Sequence, residues 1–205
     1  MAGAIRISDY VASDFLCALE LTPWDACSRV ATILEARFSD LSSSYTFIDG
    51  AIAVHATAVI EQGAILKGPC IVGEDCFIAS YAYIRGGVWL ESRVAVGPSA
   101  EIKSSFICDG SKIAHLNFVG NSIIGRNVNI EAGAILANYR NERGGGEVIC
   151  FDGQNSIRTG QDKFGALVGD ECRIGANAVL APGTILARGT IVERLSLVDQ
   201  AAARH

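Results

Sequence analysis

Residues 66–102 read LKGPCIVGEDCFIASYAYIRGGVWLESRVAVGPSAEI, and an aliphatic residue recurs in this stretch at every sixth position. The same register extends in both directions through small apolar residues, and its members are Val54, Ile60, Leu66, Val72, Ile78, Ile84, Leu90, Val96, Ile102, Cys108 and Ala114. An α-helix repeats every 3.6 residues and a strand every two, so neither keeps a six-residue period on one face. The hexads predict a parallel β-helix, in which three flat sides complete a triangular coil of about 18 residues.

The repeat breaks after Ala114, in the segment AHLNFVGNS of residues 114–122. The pattern resumes four residues later at Phe118 and continues through Ile124, Ile130 and Leu136. The break contains His115, the one histidine inside the repeat beyond its start. We therefore expect a local change of the coil that displays this histidine.

A polar segment, residues 140–166, interrupts the hexads a second time before they return at Val168, Ile174, Leu180, Leu186 and Val192. Loops this long inside a compact domain are uncommon and are often functional, although a tolerated surface insertion remains an equal alternative. The runs VICF and NSIR around Asp152 and Gly153 predict a hairpin that projects from the coil. The sequence thus predicts an all-β domain over residues 48–195, with about six to seven coils, this inserted loop, and a C-terminal tail at 196–205.

Residues 1–47 differ in composition from the repeat. The run TPWDACSRVATILEARF, residues 22–38, predicts a helix with Thr22 as its N-cap and Pro23 in the first helical position. We expect this helix to act as a cap over the open end of the β-helix, where a strand edge would otherwise be exposed. A regulatory or partner-binding role for the segment stays open.

Composition narrows the class of protein. Half of the 205 residues are hydrophobic, yet no apolar run approaches the ~20 residues of a membrane span, and the N-terminus lacks the order of a secretory signal. A soluble, cytoplasmic protein is expected. The seven cysteines form no CxxC pair, which predicts reduced thiols, no disulfide framework and no cysteine zinc site. A net charge of −5 without a basic block argues against nucleic acid as a partner.

The predicted register brings together polar residues that are distant in sequence. Hexads 18 residues apart lie over one another, so Arg85 and Lys103 become neighbours in adjacent coils. Asn138 and Tyr139 are expected in the same column, with His115 at the corner just before it. Two stacked cations repel each other, and an anion between them relieves the repulsion. Alternatively, the long side chains extend into water or pair with Glu101 or Glu91 at little energetic cost.

Two segments carry a resemblance to a known family. Residues 101–139, EIKSSFICDGSKIAHLNFVGNSIIGRNVNIEAGAILANY, resemble the acetyltransferase domain of the bifunctional glucosamine-1-phosphate N-acetyltransferase/N-acetylglucosamine-1-phosphate uridylyltransferase. The section KFGALVGDECRIGANAVLAPGTIL is similar to the archaeal sugar-1-phosphate nucleotidylyltransferases that carry an acetyltransferase domain. The resemblance covers roughly residues 50–190 and implies the left-handed form of the β-helix, since the six-residue period alone does not give a hand.

The resemblance also implies roles for individual residues. His115 corresponds to the general base that deprotonates the sugar amine, and Asn138 to a contact of the amine or the acetyl group. Arg85 and Lys103 match the phosphate-binding cations, and the set of further contacts comprises Asn129, Tyr139 and Phe118 for the sugar phosphate and Ala176 for the co-substrate. The implied reaction transfers acetyl from acetyl-CoA to an amino sugar, without a metal, in a homotrimer.

The chain departs from the family pattern at two places. Phe118 replaces a tyrosine, and the lysine expected after the Asn138–Tyr139 pair is missing, with Arg143 as a candidate substitute. The nucleotidyltransferase domain has no counterpart in residues 1–47. These departures keep a second hypothesis open, in which the chain is a non-catalytic sugar-phosphate-binding or scaffolding subunit. A metal-dependent hydratase is disfavoured, because it needs three histidine ligands and the three histidines of this chain, at 55, 115 and 205, are too far apart.

Overall fold

The computed structural model describes residues 5–201, and most of them form a solenoid of short strands. Three helices come first, α1 Asp14–Ala18, α2 Pro23–Ser28 and α3 Val30–Arg37. In chain order the strands are β1 Tyr45–Ile48, β2 Ile52–His55, β3 Val59–Ile60, β4 Ile65–Leu66, β5 Cys70–Val72, β6 Phe77–Ile78, β7 Tyr83–Leu90, β8 Ala95–Val96, β9 Glu101–Ile107, β10 Lys112–Ile113, β11 Phe118–Gly120, β12 Ile123–Ile124, β13 Asn129–Ile130, β14 Ile135–Leu136, β15 Ile149–Phe151, β16 Ser156–Arg158, β17 Ala166–Val168, β18 Arg173–Ile174, β19 Val179–Leu180, β20 Thr184–Leu186, β21 Ile191–Val192 and β22 Leu197–Val198.

The solenoid has three sides, each a stack of parallel strands. Side 1 comprises β2, β5, the second halves of β7 and β9, β12, β17 and β20. Side 2 comprises β3, β6, β8, β10, β13, β18 and β21, and side 3 comprises β4, the first halves of β7 and β9, β11, β14, β19 and β22. Seven strands on each side of the described solenoid give seven turns, in agreement with the six to seven that the hexads predict. The parallel β-helix of hexapeptide repeats is confirmed.

The interior is a column of aliphatic side chains, and the structure corrects the predicted register within it. The residue that faces this interior column is Ile107 rather than Cys108, which is buried in the outer cluster on side 1; likewise it is Ile113 rather than Ala114, and Val119 rather than Phe118. Ile107 follows Ile102 by five positions, and Ile124 follows Val119 by five positions, whereas the usual spacing is six. Two coils are therefore one residue short. The apparent slip of four residues after Ala114 is therefore two single-residue deletions. Cys108 and Ala114 concealed the first because both are small and apolar.

The N-terminal segment packs on side 1. Trp24, Val30 and Leu34 are buried in one cluster with outward-facing residues of that side, including Ile71 and Phe106. The strand edge of the first coil is covered by β1, which pairs antiparallel with β2. Strand β1, rather than the predicted helix, therefore protects the open end, and the helices form a second layer.

The predicted helix over residues 22–38 is present but divided. Thr22 caps α2 by accepting a hydrogen bond from the Asp25 amide, and Pro23 begins the helix, as predicted. At Arg29 the backbone leaves the helical region, so α2 and α3 are separate. Within residues 5–201 no helix is long and apolar enough to cross a bilayer.

The inserted loop forms the predicted hairpin, in which β15 pairs antiparallel with β16. Its buried residues Val148 and Cys150 join the same cluster on side 1 as the N-terminal helices. The buried Arg140 guanidinium ties the start of the loop to Asp199 through two hydrogen bonds of 2.7 and 2.6 Å. Residues 197–198 form β22, so the solenoid extends beyond residue 195 into the predicted tail, and residues 1–4 and 202–205 lie outside the described part.

Candidate functional site

The predicted cation column exists at the end of side 3. Arg85 and Lys103 are paired in the register of β7 and β9, and Gly120 is the partner of Lys103 in the next coil. Ala137 follows the Val119–Leu136 pair and continues the column. Asn138 is one position beyond the column, because the column residue follows each inward residue by one position and the inward residue of this coil is Leu136. Two cations are thus followed by two residues with almost no side chain.

The charges of this column are partly compensated. Arg85 forms an ion pair with Glu101, with guanidinium-to-carboxylate distances of 2.6 and 2.7 Å, which is the alternative considered from the sequence. Lys103 has no such partner among the ion pairs of the described residues. Burial lowers the pKa of Lys103, and the like charges of Lys163 and Arg85 lower it further. The column therefore retains an excess of positive charge.

Lys163 was not identified as a site residue from the sequence. It lies at the end of the inserted loop, where the Phe164 amide donates to the Asn138 carbonyl at 3.1 Å. This bond closes the loop, so that a lysine 60 positions after Lys103 acts on its pKa. The KFGA motif, which begins with Lys163, could have drawn attention to this lysine. Its position in space depends on the path of the inserted loop, which the sequence does not give.

Gly120 is buried, and the space that its side chain would occupy, called the notch here, is filled by two neighbouring side chains. A Cβ atom at this glycine would lie 2.7 Å from the Phe118 ring and 2.8 Å from the Asn138 amide nitrogen. The Asn138 amide donates in turn to Asn121 Oδ1 at 2.6 Å, which fixes its orientation. Phe118, predicted to point inward, instead lies on the outer face of side 3 beside Glu101 and forms a wall of this notch.

His115 is at the corner where side 2 meets side 3. Its side chain is exposed and has no hydrogen-bond partner within residues 5–201, while its carbonyl accepts from the Gly133 amide at 2.9 Å. Gly120 is five positions later, and a fully extended chain of that length would span roughly 15 Å. The backbone turns at Leu116, where φ is 58°, so the actual separation is shorter. His115 thus lies at the corner just before the column, and its sharing of one ligand with the column stays a prediction.

Asn129 lies on side 2, away from the cation column. It lines a groove of 290 Å³ with Arg173, Arg194 and Glu131. Glu131 accepts two hydrogen bonds from Arg194, at 2.8 and 3.0 Å, and one from the Ala176 amide at 2.9 Å. These bonds lower the pKa of Glu131 to about 2. Within one chain Asn129 therefore lies on a different side from the cation column, and its contact with the sugar stays a prediction.

Ala176, the predicted co-substrate contact, has both backbone polar groups in use. Its amide donates to Glu131, and its carbonyl accepts from the Leu195 amide at 3.0 Å. Only its methyl group remains available, unless Glu131 moves. The neighbouring Arg173 and Arg194 supply the positive charge that a phosphate-bearing co-substrate requires.

Two further predicted residues lie at the start of the inserted loop. The Tyr139 side chain is 39% exposed, and its hydroxyl lies against Gly145. Arg143 pairs with Glu142 at 4.0 Å, on the turn Asn141–Arg143. Lys163, rather than Arg143, is the loop cation that acts on Lys103. Within residues 5–201 no group of three or more His, Cys, Asp or Glu side chains is arranged to hold a metal ion, and a metal-free reaction stays a prediction.

A solenoid of hexads with a cation column and an exposed histidine defines a hexapeptide-repeat domain of the transferase type. The family model described as the GMPPB C-terminal domain matches residues 48–156, more than half of the chain, and the hexapeptide repeat of succinyl-transferase matches residues 165–193. The chain therefore belongs to the family of the GMPPB C-terminal domain, and it is a hexapeptide-repeat domain of the kind found in sugar-1-phosphate nucleotidylyltransferases.

Curated relatives agree with this assignment. The bifunctional protein GlmU of Streptococcus suis is 29% identical over 87% of this chain and 44% of its own length. The bifunctional sugar-1-phosphate nucleotidylyltransferase/acetyltransferase of Sulfurisphaera tokodaii is 35% identical over 66% of this chain and 33% of its own length. The chain therefore spans less than half the length of these relatives.

A solved structure supports the fold. The UDP-N-acetylglucosamine O-acyltransferase LpxA of Moraxella catarrhalis has a TM-score of 0.51, with 15% identity, over 74% of this chain and 64% of that one. At this level of identity the similarity concerns the β-helix alone.

Proposed function

We propose that the chain is an acyltransferase that transfers an acetyl group from acetyl-CoA to the amine of an amino sugar, either a sugar phosphate or a nucleotide sugar. The observation that carries the proposal is the pair of stacked cations Arg85 and Lys103, which lies next to Gly120 and the Asn138 amide. Lys163 adds a third cation. Such a group of cations and amides matches a phosphate ester attached to a sugar.

The proposed chemistry assigns the proton transfer to His115. Acetyl-CoA supplies the activated acetyl group. His115, in its neutral form, removes a proton from the sugar amine while the nitrogen bonds to the acetyl carbon and the carbon–sulfur bond breaks, and the proton then passes to the sulfur. An exposed imidazole without an internal partner is free to accept this proton. General-base assistance of this kind is typically worth about 10²–10⁴-fold in rate.

The distance between His115 and the notch restricts the acceptor. The corner at Leu116 and the three-residue strand Phe118–Gly120 separate the two backbone positions, so the ligand and the long side chains of Arg85, Lys103 and Lys163 must together bridge this gap. This favours an acceptor whose amine and phosphate are at opposite ends, and it favours a nucleotide sugar over a small unphosphorylated sugar.

A second function is supported by a different observation. The His115 imidazole has no partner within the described residues that would orient it, and Phe118 places a ring rather than a hydroxyl at the notch. Both features suit a subunit that binds a sugar phosphate without transforming it. In that case the chain binds the ligand at the notch, and acetyl transfer is absent.

A coenzyme A thiol-release assay separates the two functions. The acceptors are glucosamine 1-phosphate, galactosamine 1-phosphate and nucleotide-linked amino sugars, and the variants are His115→Ala and, as a matched control, His55→Ala, whose side chain contacts Thr57 in the first coil. We expect thiol release with one of these acceptors, a loss of at least about 100-fold in His115→Ala, and little change in the control. Calorimetric binding of an acceptor without thiol release would establish the non-catalytic function instead.

We further propose a homotrimer. Side 3 and its corner expose apolar side chains that no other part of the described chain covers, among them Ile65, Leu116, Leu195 and Leu197. Apolar side chains exposed at several levels along one side suit an interface between subunits. Light scattering after size exclusion tests this proposal, and a monomeric mass at micromolar concentration would contradict it.

A further inference from the structure

We infer that Asn117 is a positioning residue that holds the His115 corner in place; this rests on the proposed function of His115. In each coil, one inward-facing residue ends the corner between sides 2 and 3. In every described coil except that of Asn117, this residue is small. The members of this column are Ala64, Ala82, Ala100, Asn117, Ala134, Ala178 and Ser196. Asn117 is thus the one large polar side chain at this position of the described solenoid, two residues after His115.

The corners of the other coils are closed by a backbone hydrogen bond across the turn. Ala82 donates to Ala79 at 3.2 Å, Ala100 to Gly97 at 3.4 Å, and Ala178 to Gly175 at 3.2 Å. The corresponding bonds from Asn117 and from Ala134 are absent from the backbone hydrogen bonds of residues 114–134, all of which the structure describes.

The Asn117 side chain replaces one of these missing bonds. Its amide nitrogen donates to the Glu131 carbonyl at 2.7 Å and approaches the Ala134 carbonyl at 3.4 Å. In the opposite direction, the Gly133 amide donates to the His115 carbonyl at 2.9 Å. These bonds join the His115 corner to the corner of the following coil. The same Glu131 holds Ala176 and Arg194 through its carboxylate, so the connection continues to the groove on side 2.

This arrangement has a cost that alanine would avoid. Asn117 is 3% exposed, and its Oδ1 atom has no hydrogen-bond partner within residues 5–201. The amide cannot be turned over, because its nitrogen faces two carbonyl oxygens. Buried serines at the other corners of the same region, Ser111 and Ser122, have bonded hydroxyl groups. An unpaired buried oxygen lowers stability, so its occurrence beside the one exposed interior histidine indicates a functional constraint.

Kinetics of Asn117→Ala test the inference. Alanine fits the column, so the variant folds, but the corner loses its cross-link. We expect kcat to fall by about 10–100-fold, because small displacements of a catalytic group are costly, and the KM for the sugar to change less than about twofold. Asn117→Asp keeps the shape without the donor and should lose kcat similarly. The control is Ser111→Ala, which removes equally buried hydrogen bonds one corner earlier and should lower the melting temperature without changing kcat.

A second measurement does not depend on activity. Hydrogen exchange of the Gly133 amide reports on its bond to the His115 carbonyl, and we expect at least about tenfold faster exchange in Asn117→Ala than in Ser111→Ala. Unchanged exchange and unchanged kcat in Asn117→Ala would overturn the inference. If the wild-type chain or His115→Ala shows that His115 does not act in acyl transfer, the proposed function fails, and the exchange result alone then decides whether Asn117 holds the corner.

Discussion

Lys103 and Lys163 are 60 positions apart in the sequence, yet the charge of Lys163 lowers the pKa of Lys103. The inserted loop brings them together, since it leaves the solenoid after Asn138 and returns at Phe164 beside the same carbonyl. Like charges that the fold holds near one another are a favourable site for an anion.

Replacement of Lys163 should weaken binding of the phosphorylated acceptor. We expect Lys163→Ala to raise KM by about tenfold, equivalent to about 1.4 kcal/mol, with kcat nearly unchanged. The pKa of Lys103, followed by NMR of its ammonium group, should rise because a like charge is removed. Lys112→Ala, which removes an exposed lysine from side 2, is the control. An unchanged KM in Lys163→Ala would exclude this lysine from the phosphate site.

Gly120→Ala should displace the two side chains that fill the notch. The added Cβ would lie 2.7 Å from the Phe118 ring and 2.8 Å from the Asn138 amide, so both side chains must shift. We expect the KM of the acceptor to rise by roughly tenfold or more. Gly189→Ala, at a glycine with open space around it but a positive φ of 70°, controls for general loss of stability. A Gly120→Ala enzyme with wild-type KM would show that the acceptor does not use this space.

The Arg140–Asp199 ion pair should contribute to the attachment of the inserted loop. The side chains of Arg140 and Asp199 are 8% and 14% exposed, and Asp199→Ala leaves the guanidinium buried without its main partner. We expect the free energy of unfolding, measured in denaturant, to fall by about 3 kcal/mol. The double variant Arg140→Met with Asp199→Leu should recover part of this loss. Equal stability of Asp199→Ala and wild type would contradict the prediction.

Glu131 should make stability depend on pH in the acid range. Its pKa is lowered from 4.5 to about 2, chiefly by the hydrogen bond from Arg194. A depressed carboxyl pKa stabilises the folded state above the unfolded pKa, and this contribution disappears as the pH falls through the folded value. The melting temperature of wild type should therefore drop more between pH 4.5 and 2 than that of Glu131→Gln. Parallel curves would show that the pair with Arg194 adds nothing.

The sequence predicted the solenoid, the hairpin and the pairing of Arg85 with Lys103, because each depends on a local pattern or a constant coil length. It failed where the coil length changes. A coil shortened by one residue reverses which side chains face the interior, and small residues at 108 and 114 hid that change. Phe118 was therefore placed inside.

Lys163 and Asn117 could not be predicted as site residues from the sequence, for a different reason. Lys163 approaches the site through a long insertion whose path no periodicity describes. Asn117 was not recognised because its importance lies in two hydrogen bonds to carbonyl groups of the next coil, and an asparagine at a turn gives no sign of them.

The helices and the hairpin share one buried cluster on side 1, so only two sides of the prism remain open. These two sides meet at the corner that carries His115. A triangular solenoid with three exposed sides offers three similar surfaces to a ligand, whereas this solenoid exposes the strands of sides 2 and 3 only, within the described residues. A molecule that docks directly on the strands of the solenoid, whether a small ligand or another copy of the chain, must therefore bind to side 2 or side 3. His115 lies at the corner between these two sides.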